Sequence, residues 1–180
     1  WKMYIFNVNV LVPNEDTTSM FTFQPFINNS CGNTKAIKIN EFDGKSMKWS
    51  TDVFFPKKFK NLQGCTVKVG TYDIPPAIII DRHKNGTKTF TGYEHELIKA
   101  FGSVLNFATT FQQFEQSIGM IYKNGSSTGL LRRVFEKEVN FITGAMSLQL
   151  ARMQFVTPTK MIYPDKLVLV IPPPFPIDPM

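Results

Sequence analysis

The stretch GYEHELIKAFGSVL (Gly92–Leu105), running on into NFATTFQQF (Asn106–Phe114), decides the fold. Leu97, Ile98, Phe101, Val104 and Leu105 recur at three- and four-residue spacing and predict one apolar stripe of a helix. Gly102 weakens that helix only slightly. From Asn106 the period changes to two, with Phe107, Thr109, Phe111 and Gln113 alternating against their neighbours as in a strand. Upstream, Thr66–Tyr72 reads as a strand, and Pro75-Pro76 forces an extended bend because proline lacks the ladder donor and restricts its predecessor. Ala77–Ile80 is a second strand, and His83–Lys88, centred on Asn85-Gly86, is a hairpin turn. Downstream, Ser127–Val139 is expected as a helix with Leu130, Leu131, Val134 and Phe135 inward, and Phe141–Thr143 as a short buried strand. Ser147–Met153 reads as one or two helical turns with Ser147 as N-cap, and Leu167–Ile171 as a last strand. Strands separated by helices of this length predict an α/β lobe, a parallel or mixed sheet with helices on both faces.

Ahead of Cys65 the pattern is β-rich. Tyr4–Val12 alternates as a strand, Asn14-Glu15-Asp16 turns, and Met20–Ile27 is extended but interrupted by Pro25. Asn28–Thr34 is loop, Ala36–Ile39 a short strand, and Phe54–Gly64 a connection rich in turn residues. The expected organisation is a leader over 1–60, a lobe over 61–172 and a linker over 173–180. The chain opens without an initiator Met and closes on Pro172-Pro173-Pro174-Phe175-Pro176, ends expected of a piece of something longer.

Of the 180 residues 43% are hydrophobic and 19% charged, which excludes a disordered tail, a collagen-like chain or a coiled coil. Seventeen Phe promise a sizeable apolar core, while two cysteines exclude a disulfide-dense miniprotein and a four-cysteine zinc site. No apolar run approaches the roughly 20 residues of a membrane-spanning helix. The net charge of +6 is spread in short runs: Lys57-Lys58-Phe59-Lys60 stands alone, and Arg132-Arg133 is followed by Glu136 and Glu138. Such runs read as solvated faces, so no nucleic-acid partner is expected.

Catalytic signals are thin. His83 and His95 are the only histidines and neither has metal-ligand spacing; Tyr93-Glu94-His95-Glu96 reads as the wet face of its helix. HExxH, GxSxG and GxxxxGK[ST] are all missing, so no enzyme, metal or cofactor is expected. Gly125–Gly129 (GSSTG) opens a helix as an ordinary cap or as an anion-binding set of amides. Cys31 and Cys65 either pair or stand as two buried thiols, and sequons at Asn28, Asn85 and Asn124 allow glycosylation in a secreted setting. In Ala145–Arg152 (AMSLQLAR), a small residue, a hydroxyl at a helix start and an Arg five residues later can converge on one carboxylate. Spacing alone favours a plainer reading, a capped surface helix with a solvated Arg.

Several segments carry a family resemblance in a fixed order. They are Asn61-Leu62-Gln63-Gly64-Cys65 before the first strand, Gly92–Ile98 (GYEHELI) opening the helix, and Leu105-Asn106-Phe107 after it. The leader adds Phe21–Phe26 (FTFQPF), Cys31, Trp49 and Phe54–Lys58 (FFPKK). Thr66–Ile171 resembles the first lobe (S1) of the ligand-binding domain of ionotropic glutamate receptors, and most of all the divergent ionotropic receptors of insects, a chemosensory branch. Asp165–Pro172 (DKLVLVIP) resembles the segment leaving that lobe toward the first membrane helix.

The resemblance implies a two-lobed clamshell like periplasmic solute-binding proteins, with a small-molecule ligand in the interlobe cleft and closure opening a cation pore. It implies a cell-surface channel subunit of a sensory neuron, exposed outside and joined by co-receptor subunits in a tetramer. Gap-free matching carries the ligand-carboxylate Arg onto Arg152 and its hydroxyl helper onto Ser147. Ala145 stands where the family has a Pro whose carbonyl receives the ligand amine. The aromatic that covers the ligand belongs near Pro76 and Ala77, and no aromatic is there. The implied ligand is thus a carboxylic acid or an amine. The alternatives are a soluble extracytoplasmic solute-binding protein of the same fold, or a single-lobe fragment without function.

Overall fold

The computed structural model describes residues 7–115, 117–122, 124–147 and 149–160. Trp1–Met146 and Ser147–Met180 form separate compact units. The predicted strand Leu167–Ile171 and the linker over 173–180 lie outside the described residues.

In the first unit the leader builds an antiparallel sheet. Its strands β1 (Val10–Pro13) and β2 (Thr17–Phe23) are joined through the predicted turn, where the Asn14 amide donates to the Thr17 carbonyl at 2.7 Å. The first strand starts later than the alternation from Tyr4 suggests, residues 4–6 being outside the described set. Asn9 turns its side chain to the Phe54 carbonyl (2.7 Å), and the Val8 carbonyl accepts from the Thr22 hydroxyl. Pro25 ends β2, and β3 (Phe26–Ile27) folds back on β4 (Ser30–Cys31) across Asn28 and Asn29, both left-handed as Asn tolerates. That short hairpin occupies the predicted loop.

The strand β5 (Ala36–Asp43) runs four residues beyond its predicted end, pairing with β2 and with β6 (Lys48–Trp49). The reason is Asn40. Buried at 3% exposure, it donates to the Thr51 and Val53 carbonyls and accepts from the Ser50 hydroxyl. Its polarity is satisfied within the fold, so it does not break the strand.

The second sheet is parallel, with β7 (Cys65–Thr71) at its centre. The Pro75-Pro76 bend delays the next strand, because Ile74 and Ile78 exchange both backbone hydrogen bonds across it. Hence β8 (Ile79–Arg82) begins two residues late, pairing through the Asn85-Gly86 turn with β9 (Lys88–Thr91). Then come α1 (Tyr93–Leu105), β10 (Phe107–Gln113), α2 (Gly129–Phe135) and β11 (Phe141–Ile142). Both β10 and β11 lie parallel to β7, one on each side. The fold is mixed α/β, as expected from the strand–helix alternation. Val69, Ile78, Leu130 and Leu131 are fully buried at its heart.

Two helices differ from expectation. The buried face of α1 is Glu94, Ile98 and Gly102, spaced by four, whereas Phe101 and Val104 are exposed. Asn106 caps its end in the left-handed conformation, and the Asn61–Gly64 stretch completes the cap. There the Leu62 amide donates to the Leu105 carbonyl and the Gly64 amide to that of Asn106. Helix α2 stops four residues short of the predicted Val139. Lys137 turns left-handed and the Lys137 and Glu138 amides close on Val134 and Arg133, a Schellman cap without the usual glycine.

A disulfide joins Cys31 of β4 to Cys65 at the head of β7, with Cα atoms 5.8 Å apart. It ties the leader to the parallel sheet. Among the described residues no helix is long and apolar enough to cross a membrane.

Candidate functional site

In the first unit three loops meet at the start of α1. Gly92 precedes the helix with φ +109°, and a Cβ there would lie 2.4 Å from the Ala77 carbonyl oxygen. Only glycine permits that approach. It lets the first helical amides find partners outside the helix, Tyr93 donating to the Pro76 carbonyl (3.3 Å) and Glu94 to that of Ala77 (3.1 Å). Of the two predicted ligand residues here, Pro76 is exposed and Ala77 is buried.

The next residue overturns an expectation. Glu94, read from the sequence as part of a wet face, is buried at 9% exposure. Its carboxylate accepts hydrogen bonds from the Thr143 hydroxyl, the Gly144 amide (2.8 Å) and the Ala145 amide (2.9 Å). A carboxylate in the first turn also meets the positive end of the helix dipole. Tyr93 and Glu96 do stay outside, whereas His95, its side chain 13% exposed, packs on the Phe111 ring at 4.8 Å. His95 bonds to Glu96 at 3.0 Å, and that hydrogen bond, more than any other influence, holds the Glu96 carboxyl below its usual range. The missed signal was the spacing 94–98–102, which puts Glu94 on the same face as Ile98 and the small Gly102.

The loop that Glu94 grips follows β11. The Thr143 amide donates to Gly70 of β7, and the Tyr72 hydroxyl donates to the Gly144 carbonyl at 3.1 Å. Gly144 takes φ +140°, with the Tyr72 ring 2.7 Å from where a Cβ would stand. Ala145 takes φ +49°, a left-handed conformation that costs a non-glycine residue about 1 kcal/mol or more.

The second unit holds the other two predicted residues. The helix is a single turn, α3 (Leu150–Met153), capped by the extended Gln149 without a side-chain bond, so Ser147 is not its N-cap. Arg152 sits half-buried in that turn, its Nη1 donating to the Ser147 carbonyl at 3.4 Å. The two residues thus meet through guanidinium and backbone, while the Ser147 hydroxyl lies 3.4 Å from Gln149 Nε2. Residues 147–160 contain no Asp or Glu, so that stretch offers Arg152 no acid partner.

The remaining candidates separate from this region. At Gly125–Gly129 the helix-start amides are taken: Thr128 donates to Met120, Leu130 to Ser117 and Leu131 to Ile118. That leaves little for an anion. Asn28, Asn85 and Asn124 all lie on exposed turns, and Asn85 and Asn124 accept from the hydroxyls of Thr87 and Ser126. Among the described residues no group of three or more His, Cys, Asp or Glu could hold a metal ion.

Residues 65–174 match the family model described as "Ligated ion channel L-glutamate- and glycine-binding site". Residues 1–61 match a second, described as "Putative ionotropic receptor, ligand binding domain". Among curated proteins none matches the chain. Solved structures similar to it include the AvGluR1 ligand-binding domain in complex with alanine. That match has 24% identity, covers 54% of this chain and 36% of that one, and has a TM-score of 0.43. The same domain with phenylalanine gives 24% identity, 54% and 37% coverage and a TM-score of 0.44. With glutamate the values are 21%, 52%, 35% and 0.41. The chain spans about a third of the length of these domains.

Proposed function

Because the chain belongs to the family of ligated ion channel L-glutamate- and glycine-binding sites, we propose that residues 61–172 are the first lobe of an extracellular receptor domain. Residues 1–60 are its leader and 173–180 the linker toward a membrane helix. The parent is a ligand-gated cation channel subunit of the chemosensory type, at the surface of a sensory neuron. It works in a tetramer with co-receptor subunits of the same family. Ligand in the interlobe cleft draws the lobes together, and that closure opens the pore. The subunit binds and gates rather than catalyses.

Arg152 holds the ligand carboxylate through two parallel N–H donors, Ser147 assists it, and the Ala145 carbonyl receives an amine. Pro76 lines the approach beside α1, with Ala77 buried behind it. The observation that carries this reading is Arg152, a half-buried residue in a stretch without acids, five residues after Ser147 inside the segment that matches the family model. Burying a guanidinium is costly unless an anion meets it, and a ligand carboxylate supplies that charge.

The test is current recording from cells expressing the intact subunit with co-receptors, challenged with a panel of carboxylic acids, amino acids and amines. Arg152→Ala should abolish acid-evoked current while surface labelling persists. Undiminished acid responses in the variant would remove Arg152 from the site.

A further inference from the structure

Glu94 is tied to the loop from Thr143 to Ala145 by three hydrogen bonds, and that loop is one the chain does not adopt cheaply. Ala145 is left-handed at φ +49° and Gly144 stands at φ +140°. Such conformations persist only where the surroundings over-determine them. Here the Glu94 carboxylate does so together with Tyr72 and Gly70. One carboxylate oxygen takes the Thr143 hydroxyl and the Gly144 amide, and the other takes the Ala145 amide at 2.9 Å. The Tyr72 hydroxyl donates to the Gly144 carbonyl and the Thr143 amide to that of Gly70. Both consecutive amides are gathered on one anion, which fixes the two peptide planes that lead into Ala145 and so the point from which the Ala145 carbonyl, in the next plane, departs.

We infer that Glu94 is a positioning residue, whose grip on Thr143, Gly144 and Ala145 holds the Ala145 carbonyl as the acceptor for a ligand ammonium group. The inference rests on the reading of Ala145 proposed above and adds to it a residue outside the ligand's own contacts. It also assigns the site a chemical preference. A ligand carrying a primary amine beside its carboxylate depends on Glu94, whereas the same acid without the amine does not.

Two measurements on the intact protein separate this role from plain structural support. In the first, without ligand, hydrogen exchange is followed at Gly144 and Ala145. Glu94→Gln keeps the shape but turns one acceptor into a donor that opposes the loop's N–H groups. Exchange at these two amides should quicken by about tenfold or more, while the Leu130–Leu131 segment stays protected. Unchanged exchange at Gly144 and Ala145 would overturn the inference.

In the second, binding of L-glutamate is compared with that of glutarate, which lacks only the amine. Glu94→Gln should weaken L-glutamate by about tenfold or more, the worth of a hydrogen bond to a charged group, and glutarate by less than about threefold. Equal weakening of both probes would make Glu94 structural only and overturn the inference. Should Glu94→Gln not fold, Thr143→Val removes a single donor from the same cluster and is expected to split the probes in the same sense. Arg152→Ala distinguishes the underlying reading, because it must weaken both probes. A wild-type protein that takes neither probe refutes that reading and the ligand half of this inference with it, and the exchange result then decides the loop alone.

Discussion

Replacing both bridged cysteines, Cys31→Ala with Cys65→Ala, tests how the N-terminal β-rich segment is held to the parallel sheet. The bond closes a separation of 34 residues. In the loop-closure account its removal frees about 13 cal/mol/K in the unfolded chain, or about 4 kcal/mol at room temperature. Cys65 is 6% exposed at the head of β7, so the variant also loses a little sulfur packing. For a chain of this size the loss should lower the midpoint of thermal unfolding by about 8 to 16 °C. Urea unfolding followed by Trp fluorescence reports on the leader, because Trp49 packs against Phe42 and Phe54, each with ring centroids 5.3 Å away. Far-UV circular dichroism reports on the whole chain. Alkylation of the wild-type protein without reduction should label neither cysteine. A stability change below about 1 kcal/mol would refute the reasoning, because the bridge would then constrain an unfolded chain already compact in this region. Labelling of both cysteines would refute the bridge itself.

Two further expectations follow from the leader and the turns. Burial holds the Lys58 ammonium below its usual lysine range, so just under the ordinary value of 10.5 the unfolded chain binds more protons than the folded one. The charge penalty is full below the folded value and relieved as pH rises through it. The stability of wild type relative to Lys58→Met should therefore climb as pH rises toward 10.5, and parallel urea curves would contradict it. If Asn28, Asn85 and Asn124 carry glycans, the secreted protein should run faster on a gel after peptide N-glycosidase treatment. Replacing all three with Gln should abolish that shift, and unaltered mobility of the wild-type protein on treatment would exclude the modification.

What the sequence made legible was what period and turn chemistry encode. The strand at Cys65–Thr71, the Asn85-Gly86 hairpin, the helix from Tyr93 and the strand after Asn106 stand within a residue of their predicted bounds. The misreadings at Asn40 and Glu94 share a cause: in each, a polar residue finds partners well along the chain, whereas the Lys137 turn closes locally on Val134. Asn40 looks like a strand breaker until Thr51 and Val53 satisfy it. Lys137 gives no sign that it will take the left-handed turn that ends α2. Glu94 looks solvated until its partners 49 to 51 residues away are known. Pattern reasoning sees neighbours at i+2 and i+4, and these contacts lie beyond it. At the site, Arg152 and Ser147 were visible as a spacing, but that Arg152 bonds the Ser147 backbone rather than its hydroxyl was not.

The same long-range contacts make α1 the member on which the first unit's functional features converge. Its C-terminal end is closed by Asn61–Gly64, immediately before the disulfide-bonded Cys65, so the leader's β3–β4 hairpin is one covalent step from that cap. Its N-terminal end accepts the Pro76 and Ala77 loop and, through Glu94, grips Thr143 to Ala145. Thirteen residues of helix span about 20 Å between these two ends. A surface helix that served only to cover the sheet would need an apolar stripe and ordinary caps. This one leaves Phe101 and Val104 in solvent and spends a buried position on a carboxylate. Burying a carboxylate has no advantage for packing alone, since an apolar residue of similar size would fill the space without needing three donors. Its presence is accounted for by what it holds, the positive-φ loop at Gly144 and Ala145. The helix thus joins the anchor of the leader to the Thr143–Ala145 loop, and under the reading proposed above Glu94 serves the site rather than the core.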